Sequence, residues 1–223
     1  MSAIVMAAGR VSAAAQRRVA GIVGRPLFWA AFVGLLAGLP MLRTIMTELP
    51  PPLPVLGTLP DFELLDEHGQ PYGSKQLRGR VWVANFIFTR CPTICPAFTA
   101  KMGKIQHRAR GLGQAFRLVS FTADPDYDTP EVLAAYARKH RASPRMWSFL
   151  TGPIDAVRKT VVDGMKVGMG RGGPESDFAS IFHGTHFVLV DKDMQIRGYY
   201  DSSAADSVDR VLRDAGLLAN RGE

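Results

Sequence analysis

The chain has 223 residues, with 27 Lys+Arg against 20 Asp+Glu for a net charge of +7, and is 47% hydrophobic and 21% charged. That composition is neither disordered nor fibrous, and two cysteines are too few for a disulfide-rich scaffold or a four-thiolate zinc site. The charge is uneven: five arginines against Glu48 give residues 1–48 a net of +4, leaving +3 for residues 49–223, where no basic stripe of the kind nucleic acid requires is visible.

In chain order, residues 1–25 form a basic tail that contains four arginines and no acid. Pro26–Leu42 (PLFWAAFVGLLAGLPML) is an uncharged run at the short edge of the roughly 17–25 residues that cross a bilayer, and the anchor is placed at residues 26–45. The preceding arginines put the N-terminus on the cytoplasmic or matrix side, and Trp29 fits an interfacial position. The run exceeds the apolar core of a typical signal peptide and no small-residue cleavage site follows, which favours an uncleaved signal anchor; a mitochondrial transit peptide is the alternative for the tail. Residues 46–60 hold a proline-rich linker, with five prolines between Glu48 and Pro60, a composition that favours an extended, semi-rigid spacer. It leads to a domain over 61–223.

Within that domain, Phe62–Leu65 followed by a turn at 67–70 predicts a short hairpin. Val81–Phe88 (VWVANFIF) reads as a strand buried on both faces. Helical spacing begins at Pro96 and runs to about Arg108, and Arg117–Phe121 is a second buried strand. Asp128-Thr-Pro-Glu131 signals a helix start with Asp128 as the cap, the helix running to about His140. Met146–Leu150 is a strand and Pro153–Val162 a helix. Thr185–Asp191 and Gln195–Tyr200 predict a hairpin across Lys192-Asp193, and Ala204–Leu218 a closing helix. The order β-α-β-α-β-α-β-β-α implies an α/β mixed sheet with helices on both faces.

Both cysteines fall in Thr89-Arg90-Cys91-Pro92-Thr93-Ile94-Cys95-Pro96, at the carboxyl end of the first long strand, where α/β sheets gather reactive groups. A helix opens after Cys95, and its N-terminus favours thiolates. At i and i+4 two sulfurs project to one side of a helical turn, an arrangement suited to chelating a metal and to forming a disulfide.

Three segments resemble the Sco/SenC family in order and spacing: Phe88–Pro96, Asp124-Pro-Asp-Tyr-Asp-Thr-Pro-Glu131 and His183-Gly-Thr-His-Phe-Val-Leu-Val-Asp191. The resemblance spans roughly residues 55–218. It implies a membrane-anchored, thioredoxin-like copper protein that helps to assemble the binuclear copper centre of cytochrome c oxidase. Cys91, Cys95 and His183 are the implied copper ligands, and a copper-accepting oxidase subunit is the implied partner. Gly184 stands where the family usually has Ser, and Tyr127 where it commonly has Arg. Soft thiolates with one imidazole suit Cu(I) and Cu(II), although the same donors also accept zinc.

The other candidates carry weaker signals. His68, His107 and His140 read as solvated surface residues. His186 reads as a packed core histidine, whereas His183, just before the strand, sits in a loop able to reach the cysteines. Asp124 reads as a turn residue, and Met165 and Met169 as core or loop residues in a Gly-rich stretch, 164–173, that could carry His183 to the thiols. The reading is therefore a copper chaperone in a bacterial inner membrane with its domain in the periplasm, or in a mitochondrial inner membrane facing the intermembrane space. The alternatives are a thiol:disulfide oxidoreductase cycling Cys91 and Cys95 on the oxidase subunit, and a redox sensor or peroxidase. Other copper chaperones and thioredoxin-like reductants are the secondary partners, and nucleic acid is not among them.

Overall fold

The computed structural model describes residues 25–46, 51–91, 94–172 and 181–220. The basic tail up to residue 24, residues 47–50 of the linker and residues 173–180 of the Gly-rich region and its continuation lie outside them. The chain divides into two units, 1–52 and 53–223. In the first, helix α1 (Pro26–Met46) has 21 residues, about 31 Å at 1.5 Å per residue, and its 26–43 stretch is long and apolar enough to cross a membrane. Phe28 and Phe32 stack one helical turn apart, 6.0 Å between centroids, and Trp29 meets both rings edge-on.

In the second unit, six strands order as β1-β10-β9-β4-β5-β6. Strand β4 (Val81–Ile87) runs parallel to β5 (Phe116–Thr122), which runs parallel to β6 (Trp147–Leu150). On the other side, β9 (His186–Val190) is antiparallel to β4, β10 (Gln195–Asp201) to β9, and the two-residue β1 (Gly57–Thr58) to β10. All seven residues of β4 are buried. Trp82, Ala84 and Phe86 enter one core and Val81, Val83 and Ile87 the other, so alternate side chains of one run, apolar but for Asn85, fill both faces.

Helices cover both faces. Helix α3 (Ile94–Arg108) contributes Phe98, Met102 and Ile105, α4 (Pro130–Lys139) contributes Leu133 and Tyr136, and α6 (Ser207–Asn220) contributes Val208, Val211 and Ala215 to one core. The opposite core takes Leu77 from the single turn α2 (Ser74–Leu77) and Val157 from α5 (Ile154–Arg158), which widens into a π turn over Lys159–Gly164 carrying Val161. Leu64 joins it from the hairpin of β2 (Glu63–Leu65) and β3 (Pro71–Gly73).

Two features depart from the sequence reading. The cap of α4 is Thr129, whose side chain accepts from the Val132 amide at 3.4 Å, and Asp128 is wholly buried instead. The Gly-rich stretch is not all loop: β7 (Met169–Arg171) pairs antiparallel with β8 (Ile181–His183) in a separate ribbon. Met165 and Met169 are both buried in the core.

Candidate metal centre

Strand β4 delivers its chain end to Phe88, Thr89, Arg90 and Cys91. The Cys91 amide donates to the Phe88 carbonyl at 3.2 Å, a turn that folds the thiol-bearing residue back over the strand end. Cys91 is half-buried against the core that holds Phe88, Met169 and Ile181. Cys95 lies in the first turn of α3, and its side chain is outside the described residues.

His183 reaches the same place from the opposite direction. It ends β8 rather than lying in a loop, directly across from Met169, and its ring meets Phe88 edge-on with 5.8 Å between centroids. Phe88 thus borders both Cys91 and His183. The His183 Nδ1 lies 3.1 Å from the Gly184 carbonyl. A carbonyl only accepts, so Nδ1 carries the proton and Nε2 is the ring nitrogen whose chemistry suits a metal. Burial pushes the imidazole below the ordinary histidine range, against the Gly184 contact, which favours its charge. A neutral ring is the form that ligates.

Gly184 is a close-approach glycine. A Cβ there would lie 2.3 Å from Cγ1 of Val167, and the Gly184 amide donates to the Gly168 carbonyl at 2.9 Å. The backbone next to His183 is thus held on the Gly168 carbonyl, and a Ser at 184 would have to displace Val167.

Two carboxylates hold the thiol loop. Asp128 accepts from the Thr89 amide at 3.1 Å and from the hydroxyls of Thr89 and Thr122 at 2.5 Å each. Burial pushes its carboxyl above the ordinary value, while the Thr122 and Thr89 bonds oppose that shift. Asp124, whose side chain is 1% exposed, pairs with Arg90 at 2.5 Å. The Arg90 guanidinium in turn lies 4.1 Å above the Tyr127 ring, which serves as a platform for that cation. The positioning roles of Thr89, Thr122 and Asp128 escaped the sequence reading. Their one signal is that a second Thr follows Asp128 and can take over the cap.

A cleft of about 480 Å³ opens beside this loop, bordered by Arg90, Asp124, Tyr127, Ile154, Arg158 and Met169. Among the described residues no group of three or more His, Cys, Asp or Glu side chains stands ready for a metal ion.

The family model described as SCO1/SenC matches residues 56–215. The chain belongs to the SCO1/SenC family. A relative from Stutzerimonas stutzeri, named a putative copper-binding protein, is 31% identical over 172 residues, covering 72% of this chain and 78% of its own. A SCO1/SenC family lipoprotein from Bacillus anthracis superposes with a TM-score of 0.68 at 34% identity, over 75% of this chain and 98% of its own. BsSco, described as a member of the Sco family of cytochrome c oxidase assembly proteins with a disulfide switch, superposes with a TM-score of 0.67 at 27% identity, over 77% of this chain and 100% of its own. These likenesses make the mixed sheet of this SCO1/SenC chain thioredoxin-like, as expected.

The remaining histidines separate by environment. His186 opens β9 across from Asp201 and is exposed, not packed in the core; as the first residue of the strand it lies beyond the layer that buries Phe187. His68 and His107 are exposed, and His140 is half-buried against the Tyr136 ring at 4.3 Å. The donor types at hand, thiol and imidazole beside an open cleft, suit a soft metal held with room for exchange, and a thiol before a helix N-terminus also suits disulfide chemistry.

Proposed function

We propose that this protein binds copper through Cys91, Cys95 and His183 and passes it to a copper-accepting subunit of cytochrome c oxidase during assembly. The observation that carries the reading is that Phe88 links the two: its carbonyl accepts from the Cys91 amide and its ring meets the ring of His183, ninety-two positions after Cys91, at the carboxyl end of β4. Copper is cargo here: two thiolates and one imidazole hold Cu(I) and leave coordination open to an incoming ligand. The cleft bordered by Arg90 and Met169, one beside Cys91 and the other paired with His183, gives the acceptor an approach. Helix α1 anchors the chain in a bacterial inner membrane with the domain in the periplasm, where a dithiol can also oxidise. The copper-binding and oxidase-assembly descriptions of the relatives support this reading.

A second reading, reduction or exchange of disulfides on the same subunit, is favoured by the place of the Cys-x-x-x-Cys pair at the start of α3. One experiment separates the two. The reduced full chain is titrated with Cu(I) and Cu(II), and the His183→Ala variant is compared for copper stoichiometry and for exchange with a small-molecule disulfide. Stoichiometric copper that is lost in the variant, with exchange intact, is expected for delivery. A reduced chain that binds no copper sinks the proposal, and oxidase assembly that survives the loss of copper binding leaves only the thiol role.

A further inference from the structure

At the end of the sheet away from Cys91, the starts of three parallel strands bring together cations that the sequence scatters over 66 positions. Arg80 precedes β4, Arg117 is the second residue of β5 and Arg145 stands two residues before β6. With Lys75 from α2 they line a recess of about 400 Å³, completed by Tyr72 and Ser148. Arg78 on the rim is neutralised by Asp61 at 2.5 Å. The other four have no ion pair among the described residues.

Arg117 is the telling member. It is 8% exposed, and the structure's other well-covered arginine, Arg197, faces a carboxylate, Asp191, at 3.2 Å. Arg117 instead donates to the Phe116 carbonyl at 2.8 Å and to the carbonyl and side-chain oxygens of Gln114, all uncharged. Burial and the neighbouring Arg80 both disfavour its charge. Glu67, a buried acid, accepts from the Phe149 amide at 2.8 Å and forms no ion pair with Arg117. A covered guanidinium held by neutral oxygens and facing three further cations lacks a counter-anion.

We infer that this recess, formed by Lys75, Arg80, Arg117 and Arg145 with Tyr72 and Ser148, is a binding site for a phosphate-type oxyanion, either free or as the headgroup of an anionic phospholipid. Guanidinium forks match the paired oxygens of a phosphate and form charge-assisted bonds to it. The Tyr72 and Ser148 hydroxyls, hydrogen-bonded to each other, stand at the wall. The starts of β4, β5 and β6 fix the backbone that carries the three arginines, and Arg117 is further held by the Phe116 and Gln114 oxygens.

The test uses the full chain in a neutral maltoside detergent. Inorganic phosphate and pyrophosphate are titrated by calorimetry and by thermal unfolding, with chloride at matched ionic strength as the reference. Saturable binding is expected, with a rise in unfolding midpoint that chloride does not give. The Arg80→Gln/Arg145→Gln variant changes two side chains at the surface of the recess, and its affinity should fall by about ten-fold or more, the scale of one lost charge-assisted contact. Lys104→Gln, on the exposed side of α3, should leave it unchanged. Deacylated phosphatidylglycerol headgroup distinguishes the source: binding as tight as that of phosphate assigns the lipid, and binding of phosphate alone assigns the free ion. No saturable binding of either, or equal losses in the double variant and in Lys104→Gln, overturns the assignment.

Discussion

Replacing Asp128 with Ala tests whether the thiol loop is tied to the sheet through one buried carboxylate. The change removes an acceptor used by the Thr89 amide and by the hydroxyls of Thr89 and Thr122. The hydroxyls can rotate toward other partners, but the amide cannot. An orphaned buried donor costs about 1–3 kcal/mol, and the cavity left at a fully buried site adds to it, giving about 3 kcal/mol in all. For a domain of this size each kcal/mol moves the unfolding midpoint by roughly 2–4 °C, so a drop of about 6–12 °C is expected in thermal unfolding, with a matching loss of about 3 kcal/mol in urea. Alkylation of Cys91 should quicken as Thr89 loosens. The Asn variant removes the charge and keeps one accepting oxygen, so its pH dependence, rather than its absolute stability, reports on the charge. Burial raises the Asp128 carboxyl above its ordinary 3.8, so the neutral acid is the form the fold prefers. That preference is fully present below the unfolded value and is lost as pH rises through the raised folded one. Asp128→Asn, which mimics the neutral form, should therefore gain on wild type as pH climbs from about 4 through that raised value. An Ala variant within 1 kcal/mol of wild type, with unchanged Cys91 reactivity, would refute the reasoning.

Gly184→Ser forces a Cβ to within 2.3 Å of Val167 and should cost about 1–3 kcal/mol by overpacking; adding Val167→Ala should return part of that loss, and a strictly additive double variant would disprove the contact. Arg90→Gln withdraws a cation from the nearly covered Asp124. Because Arg90 is itself part-exposed, the loss should be held to about 1–2 kcal/mol in urea unfolding, and no loss would mean the pair is idle. His186→Ala, at an exposed strand end, should stay within about 0.5 kcal/mol of wild type and keep the copper stoichiometry, whereas loss of copper would return His186 to the ligand set.

The central sheet was legible because β4 is apolar but for Asn85, and β5 keeps Phe116, Leu118, Val119 and Phe121, the pattern of strands covered on both faces. The thiol site was legible because the chain spends both cysteines at one strand end. Other parts were hidden for physical reasons. Asp128 and Thr129 are both good caps, and the choice between them is made by Thr89 and Thr122, thirty-nine and six residues away, so no local pattern could assign it. Strand β7 reads Met-Gly-Arg, without alternation or β-propensity, and exists because β8 comes back to pair with it. Strand β1 has two residues, too few for any period. His186 misleads because the four residues after it are buried, and the edge of a core falls between neighbours. The recess cations were invisible as a group because parallel register, not sequence proximity, aligns the starts of β4, β5 and β6.

The two sides of the candidate centre are held by supports of unequal strength. Cys91 follows two residues tied by Asp128 and Asp124 to the end of β5, a fully buried strand. His183 ends a ribbon of three residue pairs outside the six-stranded sheet. A two-stranded ribbon has little stability of its own and depends on what it packs against, here through the buried Met169 and Ile181. On the proposed reading, the histidine side is therefore the side that yields when copper leaves. Met169→Ala keeps all three proposed ligands but removes that packing, at about 2–5 kcal/mol. It should speed copper loss to a competing chelator several-fold. Val211→Ala, in the core on the opposite face of the sheet, imposes a similar deficit without touching the ribbon and should leave the rate near that of wild type. If both variants release copper equally fast, release follows global stability, and the ribbon has no special part in it.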